Sequence, residues 1–220
     1  MALREKTDFI DQLEADLLIV QECEDPSRSN PDFLSWSGNY LWVGKTKHKG
    51  LAIFARGDVE LCDWNLESVT YFLPCQVGNE LNIVGVWTKR SQELNYLGQL
   101  WRFLNENEHQ LRSQPTLIFG DFNSSAIWDH KYGAKSHTNL IERFQELGFE
   151  SVYHAFSKEA QGKETKPTYF MYRDIEKPYH IDHAICSTSL LNSIKKIEIG
   201  KPKDWINYSD HMPVSLEISI

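Results

Sequence analysis

Few cysteines and no long apolar runs characterise this 220-residue chain. No stretch approaches the roughly eighteen apolar residues of a membrane helix, so no span is predicted. The start, Met1-Ala2-Leu3-Arg4-Glu5-Lys6, lacks an apolar signal core, which argues against export. Four cysteines, Cys23, Cys62, Cys75 and Cys186, lie scattered without metal-type spacing. Most sit inside apolar runs and read as buried thiols, consistent with a cytoplasmic, reducing location. Repeats and low-complexity stretches are also missing. Basic residues are outnumbered, 23 against 31, for a net charge of −8. That balance argues against unspecific duplex binding, which leans on phosphate neutralisation. It does not exclude a nuclease, because a carboxylate metal site is itself acidic and a local basic patch suffices. Lys45-Thr46-Lys47-His48-Lys49 is the best such patch; it also reads as a solvated hairpin tip.

With 41% hydrophobic and 25% charged residues, the chain has the composition of a globular domain with one sizeable core. A single domain over 1–220 is expected. Phe9, Ile10 and Leu13 stand near helical spacing within residues 4–15. Strands are predicted at 17–21, 40–43, 50–55, 59–63, 69–77, 81–87, 116–119, 181–186 and 214–218. Residues 25–31 form a loop by composition. Helices are predicted at 92–106, with Leu94, Leu97, Leu100, Trp101 and Leu104 on one face, and at 138–147, ended by Gly148. The polar stretch 158–166 is the expected mobile loop. Mostly strands with a few helices between them fits two packed sheets with helices outside.

Ile118-Phe119-Gly120-Asp121-Phe122-Asn123-Ser124 is the most informative stretch. An apolar strand stops at Gly120 and releases an acid and an amide two residues apart, which on extended backbone point the same way. Such a pair orients a water and hydrogen-bonds a phosphate oxygen. Alone, Gly-Asp-x-Asn also makes an ordinary turn. Three other acidic sites stand at strand ends: Gln21-Glu22 after 17–20, Asp182 before 183–186, and Asp210-His211 before 213–218. Four polar elements abutting apolar strands suit a hydrolytic site on one edge of a layered fold.

Gln21-Glu22, Gly120-Asp121-Phe122-Asn123, Ile181-Asp182 and Ser209-Asp210-His211-Met212-Pro213-Val214 occur in an order and spacing that resembles the endonuclease/exonuclease/phosphatase superfamily. That group includes exonuclease III, DNase I, and inositol-phosphate and sphingomyelin phosphodiesterases. The resemblance covers residues 16–220. It implies a four-layer α/β sandwich of two packed, mainly antiparallel sheets flanked by helices. It also implies in-line hydrolysis of phosphodiester or phosphomonoester bonds with Mg²⁺ or Mn²⁺, nucleic acid being the default substrate and inositol or lipid phosphates the runner-up. A non-catalytic binding module on the same scaffold is the rival from another class. In this resemblance Glu22 is the primary metal ligand and Asp210 a second carboxylate near the metal; Mg²⁺ keeps several waters, so one or two carboxylates suffice. Asp121 orients or deprotonates the attacking water, and Asn123 holds a non-bridging oxygen. His211 contacts the scissile phosphate, and Asp182 bonds its other ring nitrogen, fixing the tautomer. No covalent intermediate is implied, and no serine has a hydrolase-type setting.

The sequence departs from the family pattern twice. Members open with a strand ending in Trp-Asn or a similar pair, whereas this chain begins at its first helix. The expectation is that the coding sequence continues upstream of Met1 and encodes a strand with an Asn; an in-frame stop codon just before Met1 would refute it. Without that strand its neighbours should show unpaired edges. Family members also place a His or Tyr near the end of the strand at 81–87. Here Trp87 and Thr88-Lys89-Arg90 stand instead. An indole donates but exchanges no proton; Lys89 reads either as a substitute positive charge or as an ordinary surface lysine. Trp128 is expected either as a pocket wall for stacking or as packing under its loop, the segment Pro167-Thr168-Tyr169-Phe170 as a support for Asp182, and His130 and His183 as structural.

Overall fold

The structure, a computed structural model, describes residues 2–66, 69–78 and 80–219. In chain order a 3₁₀ turn (Leu3–Glu5) leads to α1 (Thr7–Asp11), β1 (Leu17–Cys23), α2 (Pro31–Ser37), β2 (Asn39–Thr46), β3 (Lys49–Ala55), β4 (Leu61–Asp63), β5 (Phe72–Val77) and β6 (Leu81–Trp87). Then follow α3 (Tyr96–Leu111), β7 (Thr116–Asp121), α4 (His137–Glu146), β8 (Phe149–Ser151), α5 (Val152–Ser157), β9 (Tyr169–Phe170) and β10 (Pro178–Tyr179). The chain closes with β11 (Asp182–Ser187), α6 (Thr188–Leu191), β12 (Ile194–Ile199), α7 (Pro202–Trp205) and β13 (Val214–Ile218).

One sheet has six strands in the order β4-β5-β6-β7-β11-β8, antiparallel except for the parallel pair β6/β7. A second layer comprises β2-β3-β1 and the two-stranded β12-β13. Strict alternation builds the layers, because side chains two apart share a face. On β3, Ile53 points between the sheets while Ala52 and Phe54 point outward onto Phe33 of α2. On β7, Leu117 and Phe119 face the inter-sheet core while Ile118 meets α3 and α4 through Leu100, Phe103 and Phe144. Strands buried on both faces explain the near-continuous apolar runs in the sequence. The result is the expected four-layer sandwich: helices, sheet, sheet, helices.

Local chemistry sets the ends. The expected helix at 92–106 starts later because the Asn95 side chain accepts from Gly98 N at 2.7 Å, while Ser91 and Leu94 close a turn ahead of it; this is an N-cap. The first helix is split, since Leu3 N and Arg4 N donate to the Glu24 carboxylate, each at 3.2 Å. Helix α2 was not anticipated; Asn30 caps it, accepting from Phe33 N at 2.8 Å. The polar stretch 158–166 is tied down: Glu159 accepts from Thr165 and Tyr153, and Glu164 from Gly162 N and His154. Among the described residues the thiols are free, with Cys23, Cys75 and Cys186 buried and Cys62 exposed. None of the described helices is long and apolar enough to cross a membrane.

β1 pairs only with β3, and β13 only with β12, among the described residues. The two unpaired edges border a cleft of about 1840 Å³. Its polar end holds the candidate site.

Candidate active site

β7 carries Asp121 to the cleft floor, where it is 4% exposed. Gly120 makes this possible: its φ is +148°, and a Cβ there would lie 2.0 Å from Val86 O. Only glycine lets β7 close on β6 at this point. Asp121 and Asn123 come together, but not through extended backbone. Asn123 has φ 47°, and the chain folds into a turn in which Asn123 N donates to Asp121 Oδ1 at 2.8 Å and Asn123 Nδ2 to Asp121 Oδ2 at 2.6 Å. The same amide donates to Thr88 O at 3.1 Å. Both N–H bonds of Asn123 are therefore engaged.

Asp182 opens β11 directly opposite Asp121 in the antiparallel register. The Thr168 hydroxyl oxygen accepts from Ile181 N and Asp182 N, each at 3.0 Å, so this segment supports Asp182 as expected. The loop 209–212 is stitched to the same segment: Phe170 N donates to Asp210 O, Met212 N to Thr168 O, and His211 N to the Ser209 hydroxyl. These bonds deliver His211 Nδ1 to Asp182, 2.9 Å from Oδ2 and 3.1 Å from Oδ1. Tyr169 packs on the imidazole at 4.6 Å. Residues from three strand ends thus meet in one place: Asp121, Asn123, Asp182 and His211.

The electrostatics follow from burial and this crowding. Burial raises the Asp121 carboxyl far above the carboxylate range; the Asp182 charge adds to the rise, and His211 with the Asn123 hydrogen bonds offsets part of it. For His211, burial alone would lower the pKa. The charge and hydrogen bond of Asp182, with Asp121 and Asp210, override it and lift the imidazole to about 10. The ring is then a cation near neutral pH, with Nδ1–H donating to Asp182.

Glu22 sits on a β-bulge of β1, between Gln21 and Cys23, with φ 57°. Bulges re-aim side chains; this one sends Glu22 to the rim, where it is bound by Lys49 Nζ at 2.6 Å. Asp210 borders the same cleft, half-buried beside Lys6, whose pKa burial lowers, then Arg173, while Asp210 and Glu24 raise it. No three Asp, Glu, His or Cys side chains among the described residues are grouped to hold a metal. The donors present, carboxylate oxygens on a wet rim, nonetheless suit a hard divalent cation that keeps most of its waters.

Gln21 Nε2 donates to Val86 O at 3.3 Å, tying the two sheets together under the site. Trp87 is buried, 5% exposed, and Lys89 Nζ lies 4.7 Å from its ring centre and 5.5 Å from that of Tyr71. Trp128 packs on Tyr179 at 5.3 Å and borders the cleft. The basic patch is indeed the β2–β3 hairpin tip, and its His48 and Lys49 reach the cleft rim. His130 is exposed. His183 is buried, with Nε2 on Ser124 O at 2.9 Å. It packs with His137 and His180 behind the Asp121 turn, a cluster that no spacing in the sequence announces. Thr88, whose carbonyl holds Asn123, was also unforeseen.

A family model described as the Endonuclease/Exonuclease/phosphatase family matches residues 7–211. Curated protein sequences give no match. Among solved structures, the fold is similar to a 3′ phosphatase from Neisseria bound to a product DNA hairpin. That match has TM-score 0.75 and 18% identity, and covers 100% of this chain and 96% of that one. It is also similar to an AP endonuclease from Archaeoglobus fulgidus, with TM-score 0.71, 19% identity, and coverage of 97% and 93%. The endonuclease domain of TRAS1, a telomere-specific non-LTR retrotransposon, matches with TM-score 0.64, 16% identity, and coverage of 99% and 91%.

Proposed function

The chain belongs to the Endonuclease/Exonuclease/phosphatase family, and from that premise we propose that it is a divalent-metal-dependent hydrolase of phosphate ester bonds, by default a nuclease. The observation that carries this reading is the Asp121–Asp182–His211 grouping at the polar end of the cleft. A carboxyl whose pKa is raised toward the working pH is suited to take a proton from water. Asp121 is that group, and Asn123, with both N–H bonds engaged, holds its orientation. Opposite it, the His211 imidazolium, held by Asp182, stabilises charge building on the phosphoryl oxygens. The product of the two is in-line displacement at phosphorus without a covalent intermediate.

Glu22 and Asp210 would hold Mg²⁺ or Mn²⁺. Bound there, the ion supplies positive charge that polarises the phosphoryl oxygen and steadies the leaving oxyanion. Lys49, Lys89, Lys131 and Arg173 border the cleft and give an acidic protein a local cationic rim for a polyanion. Nucleic acid fits that rim, and the 3′ phosphatase with its bound DNA hairpin supports the choice.

Hydrolysis of a panel by the 220-residue chain, with Mn²⁺ or EDTA, tests the proposal: duplex DNA with an abasic site, single-stranded DNA, RNA, bis-p-nitrophenyl phosphate and an inositol phosphate. The expected result is Mn²⁺-dependent cleavage of a nucleic acid, lost in Asp121→Ala. Turnover of the inositol phosphate alone would move the substrate to the phosphatase branch. Silence on every substrate, with retained DNA binding, would favour a binding module.

A further inference from the structure

Three buried histidines, His137, His180 and His183, stand behind the Asp121 turn and take no part in the proposed chemistry. The β7–β11 ladder ends at Asp121 opposite Asp182, with one further bond from Phe122 N to Ile181 O at 3.0 Å. Beyond it the chain turns through Asn123 in the left-handed region, φ 47°. A residue other than glycine keeps that conformation only where its surroundings fix it. One side of the turn is held by Thr88, whose N–H donates to Asp121 O at 2.9 Å and whose carbonyl accepts from Asn123 Nδ2. The other side is Ser124, 3% exposed, and imidazoles take both of its oxygens.

The Ser124 carbonyl accepts from His183 Nε2 at 2.9 Å, and the Ser124 hydroxyl is bonded to His137 Nδ1 at 2.9 Å. A carbonyl only accepts, so Nε2 of His183 carries the proton. The two rings come from different elements. His183 directly follows Asp182 on β11, and His137 opens α4, where Asp129 accepts from His137 N and Thr138 N. The rings lie 4.8 Å apart; His183 also meets Phe122 and His180, each at 5.2 Å. His180 is fixed in turn by Nδ1 on Lys166 O at 2.8 Å. Side chains locked in this way by packing and hydrogen bonds are what hold neighbouring groups to a productive geometry. The His183–Ser124 bond ties the residue after Asp182 to the residue after Asn123, across 59 positions of sequence.

We infer, on the hydrolase reading of this site, that His137 and His183 are positioning residues, acting through Ser124 to hold Asn123 and Asp121 in register with Asp182. Asn123 gives Asp121 its two hydrogen bonds only while the turn is closed. Thr88 closes the turn from the β6 side, and the two imidazoles close it from the β11 and α4 sides. Displacing a reacting group by about 1 Å costs roughly a hundredfold in rate, so the fit of Ser124 between the two rings bears on turnover more than on substrate affinity.

Ser124→Ala, His137→Phe, His183→Phe and His183→Gln test this in the 220-residue chain. Phenylalanine keeps a packed ring but loses the bond to Ser124, whereas glutamine returns an N–H near the place of Nε2. Two readouts are taken: NMR hydrogen exchange of the Asn123 N–H against the amides of β6, and kcat and KM with Mn²⁺ on the panel substrate that the wild type cleaves. Exchange at Asn123 should be about tenfold faster in the alanine and phenylalanine variants, with β6 unchanged. In the same variants kcat should fall about tenfold or more at near-constant KM. His183→Gln should stay near wild type in both, and Ser124→Ala with His137→Phe should lose no more than either alone, because the two share one bond. Unchanged exchange at Asn123 in His183→Phe overturns the inference, as does acceleration shared equally by β6, or a glutamine variant as slow as the phenylalanine one. Faster exchange with an unchanged kcat makes the histidines merely structural and overturns it too. A wild type that hydrolyses nothing sinks the hydrolase reading, and with it any catalytic use of the two rings; the exchange result then decides by itself whether they hold Ser124.

Discussion

At the residue scale, the proposed chemistry rests on a few hydrogen bonds whose loss should separate turnover from stability. Asp182→Asn keeps the volume but removes the charge that makes His211 a cation. Turnover should fall by about a hundredfold or more, the His211 titration followed by NMR should drop from the alkaline range toward its ordinary value, and the melting temperature should change little. Near-wild-type rates would remove Asp182 from the positioning role. Gly120→Ala tests the backbone: a Cβ 2.0 Å from Val86 O has nowhere to go, and a loss above about 2 kcal/mol is expected in urea unfolding. The buried histidines give a pH dependence of opposite sense to that of His211. Burial lowers His137 to about 4, against the raising pull of Asp129 and Glu164. Burial, with His137 and His180 nearby, also lowers His183. The unfolded chain takes up these protons from pH ~6.5 downward while the native state does not. Stability is thus fully present above about 6.5 and falls as pH drops, by roughly 2 kcal/mol from His137 alone by pH 5 and roughly 3 kcal/mol by pH 4. The urea midpoint at pH 7.5 and pH 5 checks it; a flat profile would contradict neutral burial.

Among the elements, the β1 bulge and the β2–β3 hairpin act together. The bulge turns Glu22 outward, and the hairpin supplies Lys49 to meet it. If Glu22 holds the metal, Lys49 competes with it. Thermal shift with Mn²⁺ should therefore vanish in Glu22→Ala, and the titration midpoint should fall several-fold in Lys49→Ala. Equal responses of wild type and Glu22→Ala would take Glu22 out of the ligand set. This scale also shows where sequence was legible. β6 has the limits that its apolar run predicts, because a strand buried on both faces leaves an uninterrupted signal. β13 has its predicted limits through alternation, with Val214, Leu216 and Ile218 half-buried and Ser215 and Glu217 exposed. The first helix and α3 differ from expectation since caps and a distant carboxylate, Glu24, decide where they begin.

For the whole molecule, the order of the motifs along the chain determined the family, the layered fold and the identity of the polar groups. Gly120-Asp121-Phe122-Asn123 and Ser209-Asp210-His211 could be read because each couples a chemical group to a strand end, and both are local in sequence. What only tertiary structure decided is how those groups meet. The Asp182–His211 bond spans 29 residues, and Asn123 reaches Thr88 across 35. Neither separation carries a periodic signal. The left-handed turn at Asn123 replaced the extended geometry expected from spacing, since the Asp121 carboxylate offered the Asn123 N–H a nearer partner than any ladder bond. The histidine cluster, the Lys49 clasp and the open groove between β1 and β13 likewise arise from packing between segments distant in the chain. Residue types and their order set which chemistry is available; the register and closure of the sheets set which groups are buried together, and burial is what shifts their charges.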